Sequence, residues 1–273
     1  MNPENKTMKT EVAILGGGNL GTALAKGLAG SDEASAAYNV TITRRNADQI
    51  RYLEEEGTTV TSDNIAAAGK AELVILSVQP NQIEALVNEI KPSLDPQKHI
   101  LISAMAGVTG EEITELTGSG FPILRVMPNT AAAINQAMTC IEKTAHKEAE
   151  QKVVGLFESL GKTLLVNTEL MEASTVLGAC GIAFFLRYIR AASQGGIEVG
   201  FHAKEAQLIA SQTALGAAAL LLKSDNHPEH EIDKVTTPKG CTIAGLNEME
   251  HNGLSSALIK GIKLSCDMIE KIR

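Results

Sequence analysis

The chain has 273 residues, 44% of them hydrophobic, and a formal net charge of −8 at pH 7. This length and composition suit one large domain or two ordinary domains with packed cores. The acidic balance argues against nucleic acid as a partner, because such binding needs a basic surface that displaces counterions. Aromatic residues make up only 3% of the chain, so small and aliphatic side chains must fill the core.

Cysteines and apolar segments indicate the compartment. Cys140, Cys180, Cys241 and Cys266 form no CxxC pair and have no histidine at zinc-site spacing, which predicts reduced thiols and no metal site. The N-terminus lacks the apolar segment of a signal peptide, and the longest apolar stretch, near residues 214–222, looks too short to cross a bilayer. We therefore expect a cytoplasmic protein with no membrane partner.

The first part of the chain alternates between apolar, β-branched runs and helical patterns. The predicted strands are 11–15, 38–43, 73–78, 99–103 and 123–126, with edge strands at 137–141 and 163–166. The predicted helices are 19–29, 47–55, 82–90, 111–116 and 147–160. Strands that alternate with helices favour right-handed βαβ units and a parallel sheet.

The character of the chain changes near residue 167. Long helices are predicted over 170–199 and 203–223, and helical patterns resume after a loop at 236–240. No strand pattern follows residue 166. We therefore expect an α/β Rossmann-type domain over 1–166 and an all-α domain over 167–273.

The first long helix carries small residues at Gly178, Ala179, Gly181 and Ala183. Small side chains allow another backbone to approach closely, and an apolar helix is more easily buried between subunits than left in water. We expect a homodimer that forms through residues 170–273.

A glycine-rich turn, Gly16-Gly17-Gly18-Asn19-Leu20-Gly21, lies between the first strand and the first helix. In the dinucleotide fingerprint the first glycine permits the tight turn, the second lets the pyrophosphate approach the backbone, and the third lets the helix pack on the sheet. The N–H groups that open the helix, at Asn19 and Leu20, face the phosphates. The spacing predicts dinucleotide binding; the alternative is a tight turn without a ligand.

The end of the second strand indicates which dinucleotide is bound. An NAD site carries an acidic residue about 20 residues past the glycines, whereas this chain has Arg44 and Arg45 there, after Thr43. Two guanidinium groups suit the 2′-phosphate of NADP(H). We predict NADP(H); the alternative is a solvated arginine pair at the start of a helix.

Several segments together carry a family resemblance. They are ILGGGNLGTALAKGL at 14–28, LSVQPNQ at 76–82, SAMAGVT at 103–109, RVMPNT at 125–130 and VTTPKGCTIAGLNEME at 235–250. Over about residues 11–268 the chain resembles pyrroline-5-carboxylate reductases. The resemblance implies hydride transfer from NAD(P)H to the C=N bond of 1-pyrroline-5-carboxylate, which gives L-proline. It also implies homodimers, which in this family can assemble into decamers.

The resemblance places the substrate at the last of these segments. It implies Thr242 as the catalytic residue and Thr237, Gly240 and Cys241 as further substrate contacts. The chemistry agrees, because the N–H groups of Gly240, Cys241 and Thr242 at a helix start can hold a carboxylate. The Thr242 hydroxyl can donate to the ring nitrogen. The alternative is that Thr242 is an ordinary helix N-cap.

The resemblance also extends the cofactor site beyond the glycines and arginines. Residues 77–80 follow the strand that begins at Leu73, Ala104 leaves room for the nicotinamide, and Asn129 faces its carboxamide; the added cofactor residues are thus Ser77, Val78, Gln79, Pro80, Ala104 and Asn129. The alternative for each of them is ordinary loop structure.

The chain departs from the family at two places. Its long helix reads GACGIAF over 178–184 where the family has G-S-G-P-A-Y, and Lys239 replaces a glycine of the family signature. These changes leave open another NADP-dependent imine reductase and a regulatory protein that binds NADPH without catalysis. A β-hydroxyacid dehydrogenase is disfavoured, because residues 172–185 contain no lysine for acid–base chemistry.

Overall fold

A computed structural model of the protein describes residues 9–269. The chain divides into two compact units. The sheet unit comprises the described residues up to Cys180 and from Cys266 onwards, and the helical unit comprises Gly181–Ser265. The boundary between the two compact units therefore lies after Cys180. That residues 1–166 and 167–273 form domains with separate functions stays a prediction.

Within residues 9–269, eight strands form one sheet in the order β3-β2-β1-β4-β5-β6-β7-β8. They are β1 Thr10–Leu15, β2 Tyr38–Thr43, β3 Thr59–Thr61, β4 Leu73–Leu76, β5 Ile100–Ser103, β6 Ile123–Met127, β7 Ala137–Glu142 and β8 Gly161–Val166. All neighbouring strands are parallel except β6 and β7, which are antiparallel. The Rossmann-type sheet is confirmed.

Helices connect the strands and cover both faces of the sheet. The α-helices of the sheet unit that follow the strands are α1 Asn19–Gly30, α2 Asp32–Ala37, α3 Asn64–Lys70, α4 Ile83–Ile90, α5 Gly110–Thr117, α6 Lys147–Glu158 and α7 Met171–Ser174. Short 3₁₀ segments are Ala47–Glu54, Pro80–Gln82, Lys91–Ser93, Thr130–Ile134 and Thr168–Leu170. Because helices lie on both faces, central strands such as β4 and β5 are buried along their whole length.

Two buried clusters lie on the two faces of this sheet. One includes Ile14, Ile42, Ile75 and Ile102 together with Phe157 of α6. The other includes Leu15, Val74 and Leu101 together with side chains of α3, α4 and α5. Alternate residues of β1 thus enter opposite clusters, as the period of two of a strand requires.

The structure differs from the predicted elements at several places, one of which is the unpredicted helix α2. The sequence reasoning missed β3 and α3, although Asp63 caps α3 by accepting a hydrogen bond from the N–H of Ala66 at 2.9 Å, which is a typical start signal. The predicted helix at 47–55 is 3₁₀, and the strand predicted over 73–78 ends at Leu76. The strand β7 is not an edge strand, because it pairs with both β6 and β8.

The helical unit contains four complete helices and most of a fifth. The helices are α8 Gly181–Glu198, α9 Ala203–Ser224, α10 Pro228–Val235, α11 Cys241–His251 and α12 Leu254–Ile269. The predicted single helix over 170–199 is a continuous helical run, but Thr175–Cys180 within it is π-helical. A π segment widens the helix by one residue and is frequent at functional sites.

Two helical runs are long and apolar enough to cross a bilayer, on length and composition alone. They are Thr168–Glu198 and Ala203–Ser224. The apolar stretch near residues 214–222 lies within the second run, which is longer than the stretch because polar residues interrupt the run without ending the helix. One or two such runs are weak evidence for a membrane span, since the core helices of other proteins meet the same criteria. The same composition also occurs in helices that another subunit covers.

Candidate functional site

The glycine turn has the geometry that its spacing predicts. Gly16 has a φ of +119°, and a Cβ there would overlap the carbonyl oxygen of Ser77. A Cβ on Gly21 would overlap the carbonyl oxygen of Gly16, so this glycine is required where α1 meets the turn. A Cβ on Gly18 would meet nothing within 4 Å among the described residues. The surface at Gly18 is therefore open for a ligand to reach the backbone.

The N-terminus of α1 is equipped to hold an anion. Gly18 is its N-cap residue, and no side chain of the described residues caps it. The first backbone N–H groups of a helix have no partner within the helix, and they form the positive end of its dipole. Asn19 and Leu20 open this helix, as the phosphate-binding hypothesis requires.

A cavity of about 710 Å³ adjoins the glycine turn. Of the predicted cofactor residues it brings together Gly16, Gly18, Arg44, Arg45, Ser77, Val78 and Gln79. Asn19, Leu20, Gly21, Pro80, Ala104 and Asn129 are not among the residues that line it. The cavity lies at the carboxyl ends of β1, β2 and β4, where doubly wound sheets bind nucleotides.

Sequence reasoning missed part of this lining. Asn46, Gln49, Asn64, Asn81, Gln82 and Glu89 also face the cavity. The Asn64 side-chain amide donates to the Glu89 carboxylate at 3.0 Å. Asn64 opens α3, so recognition of the Asp63 cap would have found it.

The two arginines at the end of β2 differ in their surroundings. Arg44 is half-buried, and its Nη1 donates to the carbonyl oxygen of Gly17 at 2.7 Å. Arg45 is exposed and lines the same cavity. Two cations beside a cavity, with no acidic residue at the end of β2, fit a ligand that carries a phosphate on its ribose.

Asn129 and Ala104 lie at the carboxyl ends of neighbouring strands. The Asn129 side chain is buried; it accepts from the N–H of Ala131 at 3.1 Å and donates to the carbonyl of Gly178 at 3.0 Å. The N–H of Ala104 extends the sheet ladder by donating to the Leu76 carbonyl at 3.0 Å. Asn129 therefore ties the end of β6 to the π-helical segment, and its contact with a cofactor stays a prediction.

The π-helical segment overlaps the residues 178–184, which differ from the motif of the family that the chain resembles. Within the segment, the Gly178 carbonyl accepts the Asn129 hydrogen bond, so this part of the helix has a partner outside the helix. Burial raises the pKa of the Cys180 thiol, which favours the neutral form over a reactive thiolate.

A tight turn precedes α11 in the helical unit. The N–H of Gly240 donates to the carbonyl of Thr237 at 2.9 Å, and Lys239 has a φ of +60°. A proline at the second position and a positive φ at the third are typical of a type II turn. A Cβ on Gly240 would lie 2.5 Å from the Thr237 Oγ1, so a larger residue there would force the Thr237 side chain to move.

The start of α11 corrects one expectation and supports another. The sequence predicted that the Gly240 N–H holds the substrate carboxylate. This N–H donates within the turn instead, so it is not free to hold a carboxylate. Gly240 is the N-cap residue, and no side chain of the described residues caps α11. The backbone N–H groups of Cys241 and Thr242 remain at an uncapped helix start. Thr242 is the second residue of the helix, so it is not an N-cap.

Comparisons with known proteins agree with these motifs. Residues 168–272 match the family model for pyrroline-5-carboxylate reductase dimerisation, and residues 11–107 match a model for NADP oxidoreductases described as coenzyme F420-dependent. Pyrroline-5-carboxylate reductase 2 of Dictyostelium discoideum is 45% identical, over 95% of this chain and 92% of its own length. The chain belongs to the pyrroline-5-carboxylate reductase family.

Two further relatives allow the length and the fold of this chain to be compared with those of other family members. Pyrroline-5-carboxylate reductase 1 of Dictyostelium discoideum is 46% identical over 94% of this chain, but the chain spans only 48% of that relative's length. The crystal structure of Plasmodium falciparum pyrroline carboxylate reductase with NADP bound has a TM-score of 0.84. It covers 98% of each chain at 22% identity, so this likeness concerns the fold.

Proposed function

We propose that the chain is an NADPH-dependent reductase that converts 1-pyrroline-5-carboxylate to L-proline. The observation that carries the proposal is its 45% identity to a pyrroline-5-carboxylate reductase along nearly the whole of both chains. The glycine turn supports a nicotinamide cofactor, and the turn before α11 supports the substrate. The alternatives are another NADP-dependent imine reductase and a regulatory protein that binds NADPH.

The cofactor residues divide by the part of NADPH that they would hold. The uncapped start of α1 and the open backbone at Gly18 suit the pyrophosphate. Arg44 and Arg45 suit the 2′-phosphate. Ser77, Val78, Gln79 and Pro80 are assigned to the ribose and nicotinamide, together with Ala104 and Asn129. NADPH supplies the hydride for the C=N carbon.

The substrate residues act at the start of α11. The N–H groups of Cys241 and Thr242 hold the substrate carboxylate, favoured by the positive end of the helix dipole. The Thr242 hydroxyl donates a hydrogen bond to the ring nitrogen as negative charge develops there, and it helps to supply the proton. Thr237 and Gly240 shape the turn that presents these groups.

We also propose a cytoplasmic homo-oligomer built on a dimer, with a decamer as a further possible assembly. The dimerisation model matched at 168–272 supports the dimer. The helical unit supports it as well, because it leaves large apolar side chains exposed; they include Phe185, Leu186, Leu208, Leu215, Leu222 and Leu258. Apolar surface of this extent typically marks an interface.

The direct test is an activity measurement on the purified protein. NADPH is mixed with 1-pyrroline-5-carboxylate, and the loss of the reduced-nicotinamide absorbance is followed while proline is quantified. We expect one proline for each NADPH oxidised. Tight NADPH binding without oxidation would instead indicate the regulatory alternative, and oxidation only with a six-membered cyclic imine would indicate another imine reductase.

A further inference from the structure

The middle glycine of the turn is held at both of its backbone polar groups by the end of β2. The N–H of Gly17 donates to the carbonyl oxygen of Thr43 at 2.7 Å. The carbonyl oxygen of Gly17 accepts from Nη1 of Arg44, also at 2.7 Å. The second bond is made by a charged donor, and such bonds are shorter and stronger than neutral ones.

Arg44 is itself fixed in place. Its backbone N–H donates to the carbonyl oxygen of Thr61 in β3 at 3.1 Å, and its side chain is half-buried. The turn also packs closely against its surroundings, because a Cβ on Gly17 would lie 2.7 Å from Cδ1 of Ile50 and 3.1 Å from Cβ of Arg44. The guanidinium is planar and rigid, so its bond to Gly17 fixes the position of the turn relative to β2.

Arg45 has none of these restraints. It is exposed, lines the cavity, and among the described residues its guanidinium makes no hydrogen bond or ion pair. All five of its N–H donors are free for a ligand, whereas Arg44 already uses one. Both arginines carry charge that suits the 2′-phosphate, but they are not equivalent, because Arg44 is already bonded to the turn.

We propose that Arg44 is a positioning residue for the glycine turn and that Arg45 determines the preference for the 2′-phosphate. The inference deepens the proposed function, because it rests on nicotinamide dinucleotide binding at this cavity. The pyrophosphate contacts the turn in NADH and NADPH alike, so Arg44 supports the binding of both. The 2′-phosphate occurs only in NADPH, so Arg45 discriminates between them.

Two matched variants separate the roles: Arg44→Met and Arg45→Met each remove a guanidinium and keep a long apolar side chain. The dissociation constants of NADH and NADPH are measured by titration with the full-length protein. For Arg45→Met we expect a loss of NADPH affinity of about tenfold or more and NADH affinity within about twofold of wild type. For Arg44→Met we expect both affinities to fall, each by about fivefold or more.

A conservative variant distinguishes positioning from general damage to the fold. In Arg44→Lys the ammonium can still donate a hydrogen bond to the Gly17 carbonyl. We therefore expect the NADH affinity of this variant to lie within about threefold of wild type. The unfolding temperature of each variant is measured without cofactor. If Arg44→Met does not fold, Arg44→Gln, whose shorter side chain does not reach as far, replaces it.

Unchanged NADH affinity in a folded Arg44→Met or Arg44→Gln variant would overturn the positioning role. An equal loss of both cofactors in Arg45→Met would overturn the discriminating role. The readout is cofactor binding and needs no imine, so failure of the protein to reduce 1-pyrroline-5-carboxylate leaves this test intact. If the wild type prefers NADH, the discriminating role of Arg45 is overturned. The positioning role of Arg44 is still tested in that case by the NADH affinity of Arg44→Met.

Discussion

In the sheet unit, aliphatic side chains of β1, β4 and β5 are buried on both faces, whereas α8 and α9 of the helical unit leave Phe185, Leu186 and Leu215 about 60% exposed or more. Within Gly181–Ser265, all of which is described, Ala206 is the one hydrophobic residue classed as buried. The sheet unit has a complete core of its own. The helical unit has the composition of a core without its burial, which a second subunit would supply.

The candidate cofactor and substrate residues are also divided between the two units. The sheet unit provides the glycine turn, the uncapped start of α1 and the two arginines, all of which suit a cofactor. The helical unit provides the turn and the uncapped helix start at Thr242. Defects in the sheet unit should therefore appear as lost stability or lost cofactor affinity. Defects in the helical unit should appear as lost turnover or lost assembly.

The largest expected effect is on turnover, from Thr242→Ala. Removal of a proton donor costs about 10²- to 10⁴-fold in rate, so kcat/KM for the imine should fall by at least about 100-fold. NADPH affinity should stay unchanged, because the residues proposed to bind the cofactor lie in the sheet unit. Steady-state kinetics and an NADPH titration measure both quantities. Thr242→Ser retains the hydroxyl and should keep most of the activity; an equal loss in both variants would refute the role of the hydroxyl.

The next effect is on assembly, from Leu215→Glu in α9. Leu208, Leu215 and Leu222 are seven residues apart, so they follow one face of the helix, and each is at least 60% exposed. A buried leucine contributes about 1.5–3 kcal/mol, so a charge there should weaken the dimer by roughly 100-fold. Sedimentation at micromolar concentration measures it. Ile134→Glu is the control, because Ile134 is 70% exposed in the sheet unit. If the wild-type protein is a monomer at this concentration, the claim that a second subunit covers the helical unit is contradicted.

A smaller effect on stability is expected from Gly21→Ala. The added Cβ would overlap the carbonyl oxygen of Gly16, which is backbone and cannot move away freely. Such overpacking costs about 1–3 kcal/mol in the free energy of unfolding. Gly18→Ala is the matched control: its Cβ meets open space, so stability should hold while NADPH affinity falls. Denaturant unfolding and cofactor titration together separate the two outcomes, and equal stability of the two variants would count against the account.

The smallest effect is on how the free energy of unfolding changes as the pH falls, and it comes from Glu150 in α6. The N–H of Thr144, followed by the Lys147 ammonium, stabilises its carboxylate and lowers its pKa. A group with a lowered pKa in the folded state stabilises the fold above its unfolded pKa, and this contribution is lost as the pH falls through the folded pKa. Glu150→Gln should therefore be less stable than wild type near neutral pH and approach it in acid. Parallel stability curves would contradict this.

How far the sequence predicted these features depends on whether they are local. The bounds of β2 and the separate roles of Gly16, Gly18 and Gly21 follow from pattern and spacing, and the structure reproduces their geometry. The antiparallel direction of β7 and the bond from Arg44 to Gly17 depend on a chain reversal and on one side-chain conformation. The use of the Gly240 N–H within its own turn likewise required the backbone geometry.

The central claim is that this chain reduces a C=N bond with hydride from NADPH. Its most direct test uses NADPH deuterated at both hydrogens of the reactive nicotinamide carbon, with 1-pyrroline-5-carboxylate as the acceptor and mass spectrometry of the product. We predict proline with a single deuterium on the ring carbon that carried the double bond. Proline without deuterium, or intact NADPH bound to the protein with no proline formed, would contradict the account.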